Sequence, residues 1–86
     1  IFTELAKNEL KHTDIKVASV AGAFPSGLTS IDLKEAEIKY VVAEGADEVD
    51  VVISRGLILA NKCREAFEQI KIMKEAAGSA KMKVIL

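Results

Sequence analysis

Tryptophan is missing from this chain of 86 residues, and cysteine, proline, histidine and tyrosine occur once each. Aromatic residues make up 5% of it, so a core has to be built from Val, Ile, Leu and Ala, which suits layered α/β packing. The single cysteine, Cys63, excludes an internal disulfide and fits a reducing compartment, so a cytoplasmic location is expected. Neither sign of charge is in surplus: 12 basic and 13 acidic residues are interleaved, with a net charge of -1. That excludes a strongly basic surface for nucleic acid or anionic lipid. No apolar run approaches the roughly 18 residues of a membrane span, and Ile1-Phe2-Thr3-Glu4 is acidic too early for a secretory signal. No His, Cys and acidic residues cluster at metal-ligand spacing, so no metal site is expected. No serine stands in a nucleophile-elbow context.

What is present is a globular composition, 50% hydrophobic and 29% charged, in a length sufficient for one small domain. The chain begins at Ile1 without a methionine and stops at Leu86 inside the apolar run Met82-Lys83-Val84-Ile85-Leu86. The expectation is a piece of a longer protein; the alternative is a natural small domain.

Phe2, Leu5, Ala6 and Leu10 share a helical face within residues 1–11. Residues 15–21 read as a strand, with Lys16, Ala18 and Val20 on one face and Val17, Ser19 and Ala21 on the other. Gly22-Ala23-Phe24-Pro25-Ser26-Gly27 is a loop. Thr29 or Ser30 can cap a helix running to about Glu44, with Asp32, Glu35 and Glu37 placed early against the helix dipole. Ile31, Ile38, Val41 and Val42 line one side of that helix, and Leu33, Ala36 and Tyr40 the other, so cover on more than one side is expected. Gly45 suits the position after the cap. A strand follows over 48–53, then a turn at Ser54-Arg55-Gly56 and an extra helical turn over 57–60. Asn61 is placed to cap a helix over 62–77, whose stripe is Cys63, Ala66, Phe67, Ile70, Met73 and Ala77. Gly78 ends it, and residues 81–86 form the last strand.

Helices therefore separate successive strands, giving helix-strand-helix-strand-helix-strand with parallel pairing. Both an open doubly wound sheet and a closed eightfold barrel satisfy that order. Phe24 and Pro25 between Gly22 and Gly27 obstruct close approach of a pyrophosphate, which disfavours a dinucleotide fold. A three-strand piece alone leaves a sheet face and its edges bare, so a partial barrel is expected.

The run Val49-Asp50-Val51-Val52-Ile53 is apolar apart from one carboxylate. An acid inside such a strand is costly unless it has a partner or a task. Val49, Val51 and Ile53 should face the helices, leaving Glu48, Asp50 and Val52 inward. The same alternation turns Lys83 inward on the last strand, within reach of Asp50. An Asp beside a Lys is either a self-neutralising ion pair or equipment for carbonyl chemistry, in which an amine adds to a carbonyl and a carboxylate moves protons. The residues leave both readings open. His12 reads as a solvated boundary residue and Cys63 as a helix packing residue.

Gly45-Ala46-Asp47-Glu48-Val49-Asp50-Val51-Val52-Ile53 resembles the third-strand motif of the deoxyribose-phosphate aldolase family. Val17-Ala18-Ser19-Val20 with Phe24-Pro25-Ser26-Gly27 resembles that family's second strand and loop, and Lys83-Val84-Ile85-Leu86 its fourth strand. The resemblance implies residues 1–86 as strands 2 to 4 of a (β/α)8 TIM barrel. It implies a metal-free class I aldolase without cofactor, a lyase of deoxyribonucleotide catabolism. Such an enzyme reversibly cleaves 2-deoxy-D-ribose 5-phosphate to D-glyceraldehyde 3-phosphate and acetaldehyde through a lysine Schiff base. Asp50 matches the catalytic aspartate, Lys83 a lysine lining the same pocket, and Phe24 and Val20 substrate-side positions. The implied partner is a small phosphorylated sugar, with a homo-oligomer also expected. The family's Schiff-base lysine matches no residue of this chain, so the 86 residues alone are expected to be inactive. The alternatives are another Schiff-base barrel enzyme acting on phosphorylated sugars, and a non-catalytic, self-associating α/β domain.

Overall fold

The computed structural model describes residues 1–86. Three strands, β1 (Ala18–Ala21), β2 (Glu48–Val52) and β3 (Lys81–Ile85), form one parallel sheet in the order β1-β2-β3. Helix α1 (Thr3–Glu9) precedes β1, α2 (Ile31–Ala43) joins β1 to β2, and α3 (Arg55–Leu59) with α4 (Cys63–Ala77) joins β2 to β3. This is the expected alternation, with the extra turn after β2 realised as α3.

The sheet is covered on one face. Val49 and Val51 are fully buried and Ile53 nearly so, packed with Ile38 and Val41 of α2 and Met73 and Ala77 of α4. On the opposite face Ala18, Val20, Lys81 and Lys83 are exposed and Glu48 and Asp50 half-buried, while Val52, beside Gly27 of the loop after β1, is buried. Only 16 of 86 residues are buried, as a sheet with one layer of cover requires. The expected division of β2 into a helix-facing apolar side and an Asp50 side therefore holds.

Several local expectations are corrected. β1 begins at Ala18 instead of residue 15, because pairing starts at Ala18 opposite Glu48 and leaves Ile15 and Lys16 exposed. Ser30, not Thr29, caps α2, its Oγ accepting the Leu33 N–H at 3.3 Å. Leu33 and Tyr40 are each 61% exposed, so α2 has cover on one side only. Asn61 does not cap α4. Its φ of +60° places it in the left-handed region, where its N–H closes α3 onto the Ile58 carbonyl and Lys62 takes the cap position. In α4, Ala66, Met73 and Ala77 are buried, whereas Cys63 and Phe67 are exposed. At 100° per residue, Met73 and Ala77 lie within about 20° of Ala66, while Cys63 and Phe67 lie about 60° and 100° away. The buried stripe is narrower than the apolar pattern.

Asp47 closes the N-terminal edge of the sheet. Its carboxylate accepts Lys7 Nζ at 2.8 and 2.9 Å and the Val17 N–H at 2.9 Å. Its own N–H donates to Val17 O, and its carbonyl accepts the Lys81 N–H. One residue thus ties α1, β1 and β3 to the start of β2. The Lys7 stem lies over Gly45, whose absent Cβ would stand 2.8 Å from Lys7 Cγ and whose φ of +104° favours glycine.

The Lys7 hydrogen bonds, and then the Val17 N–H, hold the Asp47 carboxyl below the ordinary aspartate range. A depressed folded-state pKa adds stability that is present above the unfolded value and lost as pH falls through the folded one. Asp47→Asn is therefore expected to lower the thermal unfolding midpoint by several degrees at neutral pH. In melts at stepped pH the gap to the unmodified protein should close once the pH drops below the aspartate range. A gap that is the same at every pH contradicts the ion-pair account.

Candidate functional site

The parallel register sets Val20, Asp50 and Lys83 in one row across the sheet. All three side chains belong to the uncovered face, which in a closed barrel is the interior. Asp50 Oδ2 accepts Lys83 Nζ at 2.6 Å. Glu48, two residues earlier on the same face, has Oε2 4.0 Å from Lys83 Nζ. Lys83 is 62% exposed and Asp50 15%, so the acid is the sheltered member. Asp50 Oδ1 is buried without a hydrogen-bond partner.

These contacts set the charge states. Burial pushes the Asp50 carboxyl up, but the hydrogen bond and charge of the Lys83 ammonium oppose it, and the carboxyl is held below the ordinary range. Glu48 is pushed up, chiefly by the neighbouring Asp50 carboxylate. Of the two acids, Glu48 is therefore the one that protonates first as pH falls. The Asp50 hydrogen bond also pushes the Lys83 amine above its ordinary value. A nucleophilic lysine needs the opposite shift, so Lys83 is an ammonium donor.

The sequence-predicted residues sort accordingly. Asp50 and Lys83 are in contact, and Val20 lies beside Asp50, 47% exposed. Phe24 stands apart on the loop after β1, 50% exposed, at the end of the sheet where α/β barrels place their sites. His12 is exposed and takes part in none of this. No three His, Cys, Asp or Glu side chains gather as a metal site would require, and no helix is long and apolar enough to cross a membrane.

Two residues escaped sequence reasoning. Lys34 is fully buried in α2; its Nζ donates to Val52 O at 2.9 Å and Ser54 Oγ at 3.1 Å, and Ser54 Oγ donates to Gln69 Oε1 at 2.9 Å. Burial pushes its amine down. Its signal was positional, since residue 34 sits in the middle of the 31, 38, 41 stripe. Glu37 reaches back to the loop after β1 and accepts two backbone N–H groups. Nothing in the sequence distinguishes it from the other early acids of α2.

Comparison with known proteins places this geometry. The profile of the DeoC/LacD family aldolases matches residues 3–86. The chain is 41% identical over 85 residues to the deoxyribose-phosphate aldolase of Clostridium botulinum (strain 657 / Type Ba4), which covers 99% of the chain and 40% of that relative. It is 41% identical over 73 residues to the deoxyribose-phosphate aldolase of Homo sapiens, covering 85% of the chain and 23% of the relative. The solved deoxyribose phosphate aldolase of Aeropyrum pernix, described as a tetramer, superposes with a TM-score of 0.73 at 32% identity over 99% of the chain and 35% of that structure. The chain spans well under half the length of these relatives.

Because Asp50 raises Glu48, Asp50→Asn should bring the Glu48 carboxyl back down toward the ordinary glutamate range. Carbon NMR titration of the Glu48 carboxyl reads this directly. An unmoved titration argues against Asp50 as the cause of the Glu48 shift.

Proposed function

Since this chain belongs to the DeoC/LacD family of aldolases, we propose that the protein carrying it reversibly cleaves 2-deoxy-D-ribose 5-phosphate to D-glyceraldehyde 3-phosphate and acetaldehyde. The observation that carries the reading is the Asp50–Lys83 contact of 2.6 Å on the inward face, with one Asp50 oxygen buried and unpartnered. In it, Asp50 is the general acid/base that moves protons on and off the carbinolamine and Schiff base. Lys83, kept cationic, lines the pocket and holds Asp50 ionised. Val20 and Phe24 form part of the substrate side.

In this reading the nucleophile is a different lysine, supplied by a strand outside these residues, since the family's Schiff-base lysine matches no residue of this chain. The 86 residues by themselves are inactive in this reading. The protein acts in the cytoplasm, in the breakdown of deoxyribonucleotides, on a small phosphorylated sugar and without a metal or cofactor. A homo-oligomer fits the tetramer described for the Aeropyrum pernix relative.

Cleavage of deoxyribose 5-phosphate by the complete protein, with borohydride trapping of the substrate-derived adduct, tests the reaction. Asp50→Asn should lower kcat on the order of 100-fold or more, as loss of a general acid/base does. Near-normal turnover removes Asp50 from the chemistry, and absence of trapping removes the Schiff base.

A further inference from the structure

The loop 22–27 leaves the C-terminal end of β1 and carries Phe24. Both of its ends press on β2. A Cβ on Gly22 would stand 3.0 Å from Val52 N, and one on Gly27 would stand 2.6 Å from Ile53 O. Within the loop, the Gly27 N–H donates to Ala23 O at 2.9 Å, and Ser26 Oγ accepts the Leu28 N–H at 3.2 Å. A single side chain from outside the loop bonds to it. Glu37 Oε2 accepts the Gly22 N–H at 3.0 Å and the Ala23 N–H at 2.9 Å.

Gly22 and Ala23, which carry those two N–H groups, both lie in the left-handed region, at φ +77° and +59°. Successive amides in such a conformation form a concavity suited to an anion. For glycine the conformation is free, whereas for alanine it is strained. The strained residue sits immediately before Phe24; its carbonyl is held by the Gly27 N–H and its N–H by the Glu37 carboxylate, the latter a charge-assisted bond stronger than a neutral one.

We infer that Glu37 is a positioning residue: it fixes the Ala23 backbone, and through it sets Phe24 against the substrate. This deepens the proposed function and rests on it. Glu37 touches no reacting atom, so its loss should weaken substrate binding and spare the chemical step. The strain on Ala23 supplies a further signature, because glycine at that position needs no anchor.

The test is made in the complete protein with deoxyribose 5-phosphate. Glu37→Ala should raise KM about tenfold with kcat within about twofold, the size expected for losing a charge-assisted pair. Glu37→Gln keeps an acceptor and should fall between. Ala23→Gly combined with Glu37→Ala should recover at least half of the KM change. Amide hydrogen exchange needs no substrate: Gly22 and Ala23 should exchange faster in Glu37→Ala while Val49 and Val51 stay protected, which also shows that the variant is folded. Unchanged exchange, a loss confined to kcat, or no recovery with Ala23→Gly each overturns the inference. A wild-type protein that does not cleave the sugar phosphate overturns the proposed function instead, and the exchange data alone then decide whether Glu37 anchors the loop.

Discussion

The sheet depends on one carboxylate placed where three strands start. Asp47 accepts from a lysine of α1 and from the backbone of β1, and its own peptide groups begin the ladders to β1 and β3. Parallel strands have no hairpin to fix their register, and a slip by one residue would turn every side chain to the other face. Such a slip would bury Asp50 among the helices and expose Val49 and Val51. The choice of face for the site is therefore made three residues upstream of Asp50, at an edge that takes no part in the chemistry.

The cost of placing an acid inside a strand is divided among neighbours. Lys83 stands opposite Asp50 in register and stabilises its charge; Glu48 stands two residues away on the same face, its carboxyl pushed up by that charge.

Much of this was legible in the alternation of β2, because Val49, Val51 and Ile53 are apolar without exception and Asp50 breaks the run on the other face. The last strand followed the same rule, so the meeting of Asp50 with Lys83 could be read in advance. Helix faces were less legible. The apolar stripe of α4 is wider than the surface it packs against, so Phe67 and Cys63 read as core and are exposed. The stripe of α2 hides a lysine, since a long stem can be buried if its ammonium finds acceptors, and Lys34 finds a strand-end carbonyl and Ser54. Tertiary hydrogen bonds such as those of Glu37 leave no periodic trace. The family resemblance, carried by the residues from Gly45 to Ile53, agrees with the match over residues 3–86.

The lysines of β3 have a consequence for solubility. β3 is an edge of the sheet, and Lys81 and Lys83 point from its bare face. An uncovered edge of apolar strand invites pairing with another chain, and inward-pointing charge is a common way to prevent it. Until further strands close over that face, β3 is an aggregation hazard guarded by two ammonium groups.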